Sequence, residues 1–179
     1  MPFPIGHTAI AMAAFESARS HRDSGSRLTK ALFIIFLANL PDIDIVFGLI
    51  LRGDGDAFHR GPTHSLLFAV VCGFLASHLW RVWRHIPRMG FGLCSLLIFS
   101  HVAADMFLTS SPVSFFWPLE IHWSQGHSNW GQVFNLVFFQ SIRDVGIAVA
   151  AAIYILVLRF IRSAGKVRSL FGISGRRTH

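Results

Sequence analysis

The sequence predicts an all-α integral membrane protein with about four transmembrane helices and a short N-terminal helix. Hydrophobic residues make up 53% of the 179 residues and charged residues only 14%, whereas about 25% of the residues in soluble domains are charged. The hydrophobic residues are gathered into runs that approach the ~20 residues needed to cross a bilayer. Basic residues lie in short clusters between these runs, which is typical of the cytoplasmic loops of membrane proteins.

Five apolar segments predict the helices, and they cover residues 5–18, 31–51, 65–83, 91–108 and 145–160. The first segment is too short for a span and predicts a short, tilted or re-entrant helix. The second is interrupted by "LPDID", where Pro41 disfavours a helical conformation at Leu40 and lacks a backbone donor. We expect a break there, with Pro41 at the first position of a short new helix. The other three segments are near the length of a span, and the last is the shortest.

The distribution of lysine and arginine predicts the orientation of these helices. Three regions are rich in the two residues and two regions are poor in them: 18–30, 81–88 and 159–179 against 52–64 and 109–144. The positive-inside rule places the rich regions in the cytoplasm and the poor loops outside. We therefore expect a multi-pass protein of the cell inner (plasma) membrane, with a membrane-embedded domain over residues 1–162 and a basic cytoplasmic tail over residues 163–179.

The net charge of +7 raises the alternative of a nucleic-acid partner. Because the basic residues are confined to the predicted cytoplasmic loops, topology accounts for the charge, and no nucleic-acid partner is expected. The expected partners are membrane lipids and a small or lipid-like substrate. The sequence leaves the oligomeric state open.

Seven side chains that can bind metals are predicted to lie at a similar depth, near the outer leaflet: His7, Asp42, Asp44, His59, His64, His101 and Asp105. Ionisable groups inside a span cost roughly 2.5–3.5 kcal/mol each at mid-depth. They persist there when they are paired, face a cavity or bind an ion. Because the orientation follows from lysine and arginine alone, this convergence is independent support for a metal site.

The spacing within this set is informative. His101 and Asp105 are four residues apart, so on a helix they share one face and can bind the same metal ion. Pro62 predicts a helix start that places His64 in the first turn, with His59 on the loop before it. The alternatives are a His–Asp hydrogen bond that only stabilises packing and a solvated histidine-rich loop. Glu120, His122 and His127 could join the site from the outer side.

Three stretches of this sequence resemble the YdjM-like family of membrane-bound, predicted metal-dependent hydrolases. They are "GHTAI", "ANLPDIDIVFGLILRGDGDAFHRGPTHSLLF" and "SHVAADMFLTSSPVSFFWPLE", and the resemblance covers most of residues 1–120. It implies an integral membrane protein with a divalent-metal site. The His–x–x–x–Asp pattern is also distantly similar to that of zinc-dependent phospholipase C and of zinc single-strand nucleases, which hydrolyse phosphoesters. The sequence departs from some relatives at Ile45, where they have a histidine.

The predicted function is therefore that of a membrane-bound metal-dependent hydrolase of a phosphoester or lipid-like substrate. The expected metal ligands are His7, Asp42, His59, His64, His101 and Asp105. Zinc is the expected metal, with manganese or iron as alternatives and one to three ions bound. Asp42 or Asp44 could orient or deprotonate the attacking water, and Arg60 could pair with phosphate oxygens.

Two other functions remain open. One is a transporter or proton-relay protein, although transporters often have paired repeats with broken helices and this chain has one broken segment and no repeat. The other is a non-catalytic membrane protein with a structural metal. Structural zinc sites are closed by four ligands, and seven candidate ligands favour an open or multinuclear site.

Overall fold

The computed structural model describes residues 4–19, 23–108, 112–119 and 130–170, with the helical backbone alone at 56, 130–143 and 166–170. Six α-helices are found among these residues, and no β-strand: α1 Pro4–Ala18, α2 Arg27–Ala38, α3 Ile43–Arg52, α4 Leu66–His78, α5 Phe91–Leu108 and α6 Trp130–Leu170. The all-α prediction is confirmed, and the N-terminal helix has nearly the predicted bounds.

Two helical segments are long and apolar enough to cross a membrane, namely Phe91–Leu108 and Asp144–Gly165. The α2–α3 pair, bent by 55° at its break, adds a third if it counts as one span. Helix α4 has 13 residues and is about 20 Å long, which is short of the ~30 Å hydrocarbon core. The structure therefore supports two to three spans, and the fourth stays a prediction.

The outer surface of the helices is apolar. Only 11% of the most hydrophobic window of Asp144–Gly165 is buried within the protein. Leu156 and Phe160 on this helix are 65% and 73% exposed. Soluble monomers rarely expose contiguous apolar surface on this scale, whereas lipid tails solvate it. The exposed face of α6 is thus suited to lipid rather than to water.

The predicted break at "LPDID" is confirmed, but its details differ. Helix α2 ends at Ala38, and α3 begins at Ile43 with Asp42 at its N-cap position. Pro41 therefore precedes the new helix instead of opening it. The reason is that the backbone first makes tight turns, in which Ile43 and Asp44 donate to the carbonyls of Leu40 and Pro41. The break places Asp42 between the two helices and Asp44 in the first turn of α3.

The start of α4 also differs from the prediction. Pro62 opens a short 3-10 turn that ends at His64, and α4 begins only at Leu66. Ser65 is the N-cap, and its Oγ accepts a hydrogen bond of 3.0 Å from the backbone N–H of Phe68. His64 therefore lies before the helix and not in its first turn. The turn directs its buried ring at the neighbouring helices.

The core is built around α5, which packs against α1, α2 and α4. Its completely buried side chains include Leu97 and Ile98, and these meet Leu37 of α2 and Ala11 of α1 in one apolar cluster. This helix also carries His101 and Asp105 near its C-terminal end. The same packing that buries the apolar residues therefore fixes the position of the two polar ones.

Helices α4 and α5 are in close contact at Gly73, where no space is left for a side chain. A Cβ atom at this position would lie 2.7 Å from the Cα of Ser95. We expect Gly73→Ala to lower the free energy of unfolding by about 1–3 kcal/mol, because overpacking forces the two helices apart. Thermal unfolding in detergent measures this. Gly92→Ala in α5 is the matched control, because a Cβ there meets nothing within 4 Å; equal midpoints for the two variants would contradict the prediction.

Candidate metal centre

The structure brings together all seven metal-competent residues that the sequence singled out: His7 of α1, Asp42 in the break, Asp44 of α3, His59 and His64 before α4, and His101 and Asp105 of α5. They are drawn from three helices and two connecting segments. Four of these seven side chains are completely buried. Asp42, at 16% exposed, is the most accessible of the seven.

His64 lies at the centre of the cluster and presents both ring nitrogens to acidic neighbours. Its Nδ1 is 3.1 Å from Asp44 Oδ2. Its Nε2 is 3.3 Å from Nε2 of His101, 3.4 Å from Asp105 Oδ2 and 3.6 Å from Asp42 Oδ1. Each of these atoms carries a lone pair or can carry one. Several such atoms at these short separations are arranged as the ligands of a cation are.

Asp42, His64 and His101 form the group whose spacing best fits a metal ion. The three ligand atoms form a triangle with sides of 3.3, 3.3 and 3.6 Å. Two ligands of a tetrahedral zinc, each about 2.0–2.1 Å from the ion, lie about 3.3–3.4 Å apart. The triangle therefore fits one face of a zinc tetrahedron. Zinc itself is not identified by this fit, since other divalent metals have similar bond lengths.

Two further groups of three overlap with this one. His7 and Asp105, whose Nε2 and Oδ1 are 3.4 Å apart, form a group with His101. His59 Nδ1 lies 3.1 Å from Asp44 Oδ1, and both form a group with His64. Within each group the ligand atoms lie within 4.8 Å of one another. Because the groups share histidines, the arrangement is compatible with one to three ions.

The ring of His101 is oriented by a bond to the backbone. Its Nδ1 lies 2.7 Å from the carbonyl oxygen of Ala38 and must donate to it, because a carbonyl only accepts. This leaves the Nε2 lone pair directed into the cluster, which is the tautomer that metal-ligating histidines adopt. His7 stacks on the same ring with centroids 3.7 Å apart. Neither nitrogen of His7 makes a hydrogen bond within the described part of the chain.

Asp44 is held by donors from the loop before α4. Its Oδ2 accepts hydrogen bonds from the backbone N–H of Arg60 at 3.1 Å and from Oγ1 of Thr63 at 2.6 Å. Its Oδ1 faces His59. Thr63 was not among the site residues predicted from the sequence, although its position directly before His64 could have identified it as a supporting residue. These bonds fix the loop to α3 and fix the carboxylate for His64.

Arg60 has a left-handed backbone, with φ of 64°. This conformation is uncommon for a residue other than glycine and costs on the order of 1–3 kcal/mol. It is held from both sides, because the Arg60 N–H binds Asp44 and its carbonyl accepts a 3.1 Å bond from the N–H of Ser114. As a result, its Nε lies 3.9 Å from Asp105 Oδ2, and the side chain is 11% exposed.

The cluster carries more negative charge than its own cations balance. It contains three carboxylates and one guanidinium, so its formal charge is −2 when the histidines are neutral and −1 when His64 carries a proton. Buried charge of one sign is costly unless it is paired. A divalent cation supplies the missing charge and also fits the donor set of imidazole nitrogens and carboxylate oxygens. The residues present therefore fit a divalent metal ion.

The proton on His64 gives this site a predicted pH dependence. Burial lowers the pKa of His64, but hydrogen bonds with Asp105, Asp42 and Asp44 outweigh it and raise the pKa to about 10. Below that pH the metal-free protein keeps this proton, and a metal must displace it. We expect metal affinity to rise about tenfold per pH unit between pH 6 and 9. Titration with chelator-buffered zinc measures the slope, and a flat profile would count against His64 as a ligand.

Asp144 of α6 is a supporting residue that sequence analysis missed. It is buried, and its Oδ2 accepts a 3.2 Å hydrogen bond from the N–H of Gly6 in the first turn of α1. This bond fixes the end of α1 that carries His7, and a carboxylate is favourable at a helix N-terminus. An aspartate directly before the last apolar span was the available signal. Glu120, His122 and His127 lie outside the described residues.

The buried histidines and aspartates sit among helices whose outer faces suit lipid, and the motifs that carry them span most of the chain. No curated protein and no solved structure matches the sequence. A family model described as YdjM inner membrane protein matches residues 1–166. That match covers every residue of the candidate centre, and the chain therefore belongs to the YdjM inner membrane protein family.

Proposed function

We propose that this protein is a membrane-bound, metal-dependent hydrolase that cleaves a phosphoester or a lipid-like substrate. The observation that carries the proposal is the Asp42–His64–His101 triangle, which supplies three ligands with the spacing of a zinc site. A catalytic zinc has three protein ligands and keeps a position for water, whereas a structural zinc is closed by four. The additional buried ligands beside the triangle favour an extended site.

Of the two aspartates in "LPDID", Asp42 is better suited to act on water. Asp44 already accepts bonds from Arg60 and Thr63 and faces His59, so its oxygens are engaged. Asp42 is more exposed, and because its Oδ1 faces His64 and His101 in the triangle, its Oδ2 is the oxygen left to meet water. We assign Asp42 the role of a base that holds the proton of the attacking water. A bound divalent metal supplies a water whose pKa is lowered, to about 7 for zinc.

Arg60 is suited to hold the substrate. Its planar guanidinium matches the oxygens of a phosphate, and it is held beside Asp105 at the edge of the cluster. An anionic phosphoester is therefore a better match than a neutral amide.

The setting favours a substrate delivered from the membrane. By the positive-inside rule, the ends of the helices that carry the site face outward, because the basic loops lie at their opposite ends. We therefore propose a multi-pass topology with the site toward the outer leaflet. Ile50 and Leu51 lie on α3, the helix that carries Asp44. Their apolar side chains are exposed and would contact lipid.

The test is hydrolysis by purified protein in detergent, with zinc or manganese added. The panel consists of phosphodiesters, phosphomonoesters and phospholipids. Activity on at least one class, abolished by a chelator and restored by metal, is the expected result. A metal-loaded, folded protein that cleaves nothing on the panel would overturn the proposal. If the same protein moves protons across liposomes, a transporter or proton relay takes its place.

Variants of Arg60 test the role of the guanidinium. We expect Arg60→Gly to relieve the left-handed backbone but to raise KM by about 10–100-fold, because a charge-assisted pair with phosphate is lost. Arg60→Lys keeps the charge without the planar fork, so its KM should lie between those of wild type and Arg60→Gly. Steady-state kinetics on the best phosphoester of the panel measures both. The same KM for wild type and Arg60→Gly would remove Arg60 from substrate binding.

A further inference from the structure

A second polar feature lies at the opposite end of α1 from the metal centre. Glu16 is nine residues after His7, about 14 Å along the helix, and it is 97% buried, with a side-chain exposure of 3%. A cavity of about 720 Å³ opens beside it, between α1, α2 and α6. The proposed hydrolase activity does not use this region.

The cavity has an apolar wall and a basic rim. Phe15, Ile34 and Ile155 are among its buried or half-buried apolar residues. Its basic residues are mainly exposed, and they are Arg19, Arg27, Lys30 and Arg159. Glu16 and Asp23 are its only two acidic lining residues, so four cations against two anions leave a formal charge of +2. The lining therefore matches a molecule with both an anionic and an apolar part.

The charges already present do not neutralise this excess. The carboxylate of Glu16 is shared by Arg19 at 3.0 Å, Arg159 at 3.3 Å and Arg162 at 3.5 Å. One negative charge thus serves three guanidinium groups. A shared carboxylate of this kind draws arginines together and leaves most of their positive charge available to a further anion.

Two cations of the rim are not engaged by Glu16. Lys30 donates a 3.1 Å hydrogen bond to the backbone carbonyl of Asp23, which is a neutral acceptor. The side chain of Arg27 makes no hydrogen bond or ion pair with any described residue. Both lie in the first turn of α2, which contains no acidic residue, at the positive end of the helix dipole. Their mutual repulsion and that of the dipole are relieved when an anion binds between them.

We propose that this cavity binds the phosphate headgroup of an anionic phospholipid. Membrane cavities lined by basic residues between helices are suited to such headgroups. The lipid is favoured over a free phosphate because the wall is apolar and because Leu156 and Phe160 of α6 expose a lipid-facing surface nearby. The headgroup pairs with Arg27 and Lys30, and the acyl chains follow α6. The lipid thereby fastens α2 to α1 and α6 at the basic end of the bundle.

The experiment is native mass spectrometry of the full chain in a neutral detergent, with phosphatidylglycerol, phosphatidylcholine or inorganic phosphate added. Wild type should retain phosphatidylglycerol and gain thermal stability from it. Arg27→Gln with Lys30→Gln should weaken this binding by about thirtyfold. Arg81→Gln with Arg84→Gln removes the same charge from another basic region, lined by Trp80, Arg81 and Arg84, and should bind like wild type.

Three outcomes overturn the proposal. They are equal loss of phosphatidylglycerol from both double variants, equal retention of phosphatidylcholine and phosphatidylglycerol, and equal protection by inorganic phosphate alone. Arg27 is exposed, so the single variant Arg27→Gln keeps the test decisive if the double variant does not fold. Because the metal centre lies at the other end of α1, neither double variant should change metal content.

Discussion

Replacing His101 by alanine is expected to remove most of the divalent metal from the purified protein. The Nε2 atom of His101 belongs to two of the three candidate groups, one with His7 and Asp105 and one with Asp42 and His64. Loss of this nitrogen leaves each of those groups with only two ligands. Even partners that only orient a metal ligand are worth 10–100-fold in affinity. For the ligand itself we expect a decrease of at least about a hundredfold.

The measurement is the ratio of metal to protein by elemental analysis, after equilibration with metal-buffered solutions. His78→Ala is the matched control, because His78 lies at the far end of α4 and bonds only with Ser77 and the carbonyl of Phe74 among the described residues. Insertion into the membrane should be retained, since removal of a buried polar side chain does not oppose it. Equal metal content in wild type and His101→Ala would refute the assignment of this centre.

The residues of the centre were predictable because their cost inside a membrane is visible in the sequence. His101 and Asp105 stand in an otherwise apolar run, and the structure places that run in one helix, Phe91–Leu108, with the predicted bounds. Four-residue spacing then sufficed to place both side chains on one face. The same reasoning predicted that His7 and His64 lie near them. The alternation of basic and non-basic loops assigns each helix end to one side of the membrane, and His7 and His64 fall on the same side as His101 and Asp105.

The ends of α4 were not predictable from hydrophobicity. The apolar run continues to Trp83, but the helix ends at His78, where Oγ of Ser77 and Nδ1 of His78 both bond with the carbonyl of Phe74. These side chains compete for the backbone acceptor, and a short 3-10 turn follows. Hydropathy responds to the apolar character of the segment and not to this local competition, so it overestimates the length of the helix.

The supporting contacts of the centre were beyond reach for a different reason. The bond from Gly6 to Asp144 joins residues 138 positions apart, and it exists only once α1 and α6 are packed together. The left-handed backbone of Arg60 is likewise imposed by its neighbours, since arginine has no intrinsic preference for it. Residue type and spacing therefore indicate the ligands of a site, whereas tertiary packing decides what orients them.

The same packing engages the carboxylate of Asp44 and leaves Asp42 more exposed, and Asp42→Asn tests the role proposed for Asp42. We expect this variant to lower kcat on the responsive phosphoester by about 10²–10⁴-fold at saturating metal, because a general base contributes on that scale. An asparagine has nearly the same shape and retains an oxygen ligand, but it cannot hold the proton of the attacking water. The metal concentration is therefore kept saturating, so that weaker metal binding by the variant does not affect the measured kcat.

Asp54→Asn supplies the matched control for this substitution. Asp54 is exposed in the turn after α3 and lies outside the three metal-binding groups of the described residues, so its variant should keep the wild-type kcat. The pH profile adds a second readout, since loss of a base removes the acidic limb of the profile, whereas loss of a merely structural contact leaves its shape unchanged. If Asp42→Asn retains both its rate and its acidic limb with metal bound, the base must be sought elsewhere in the cluster.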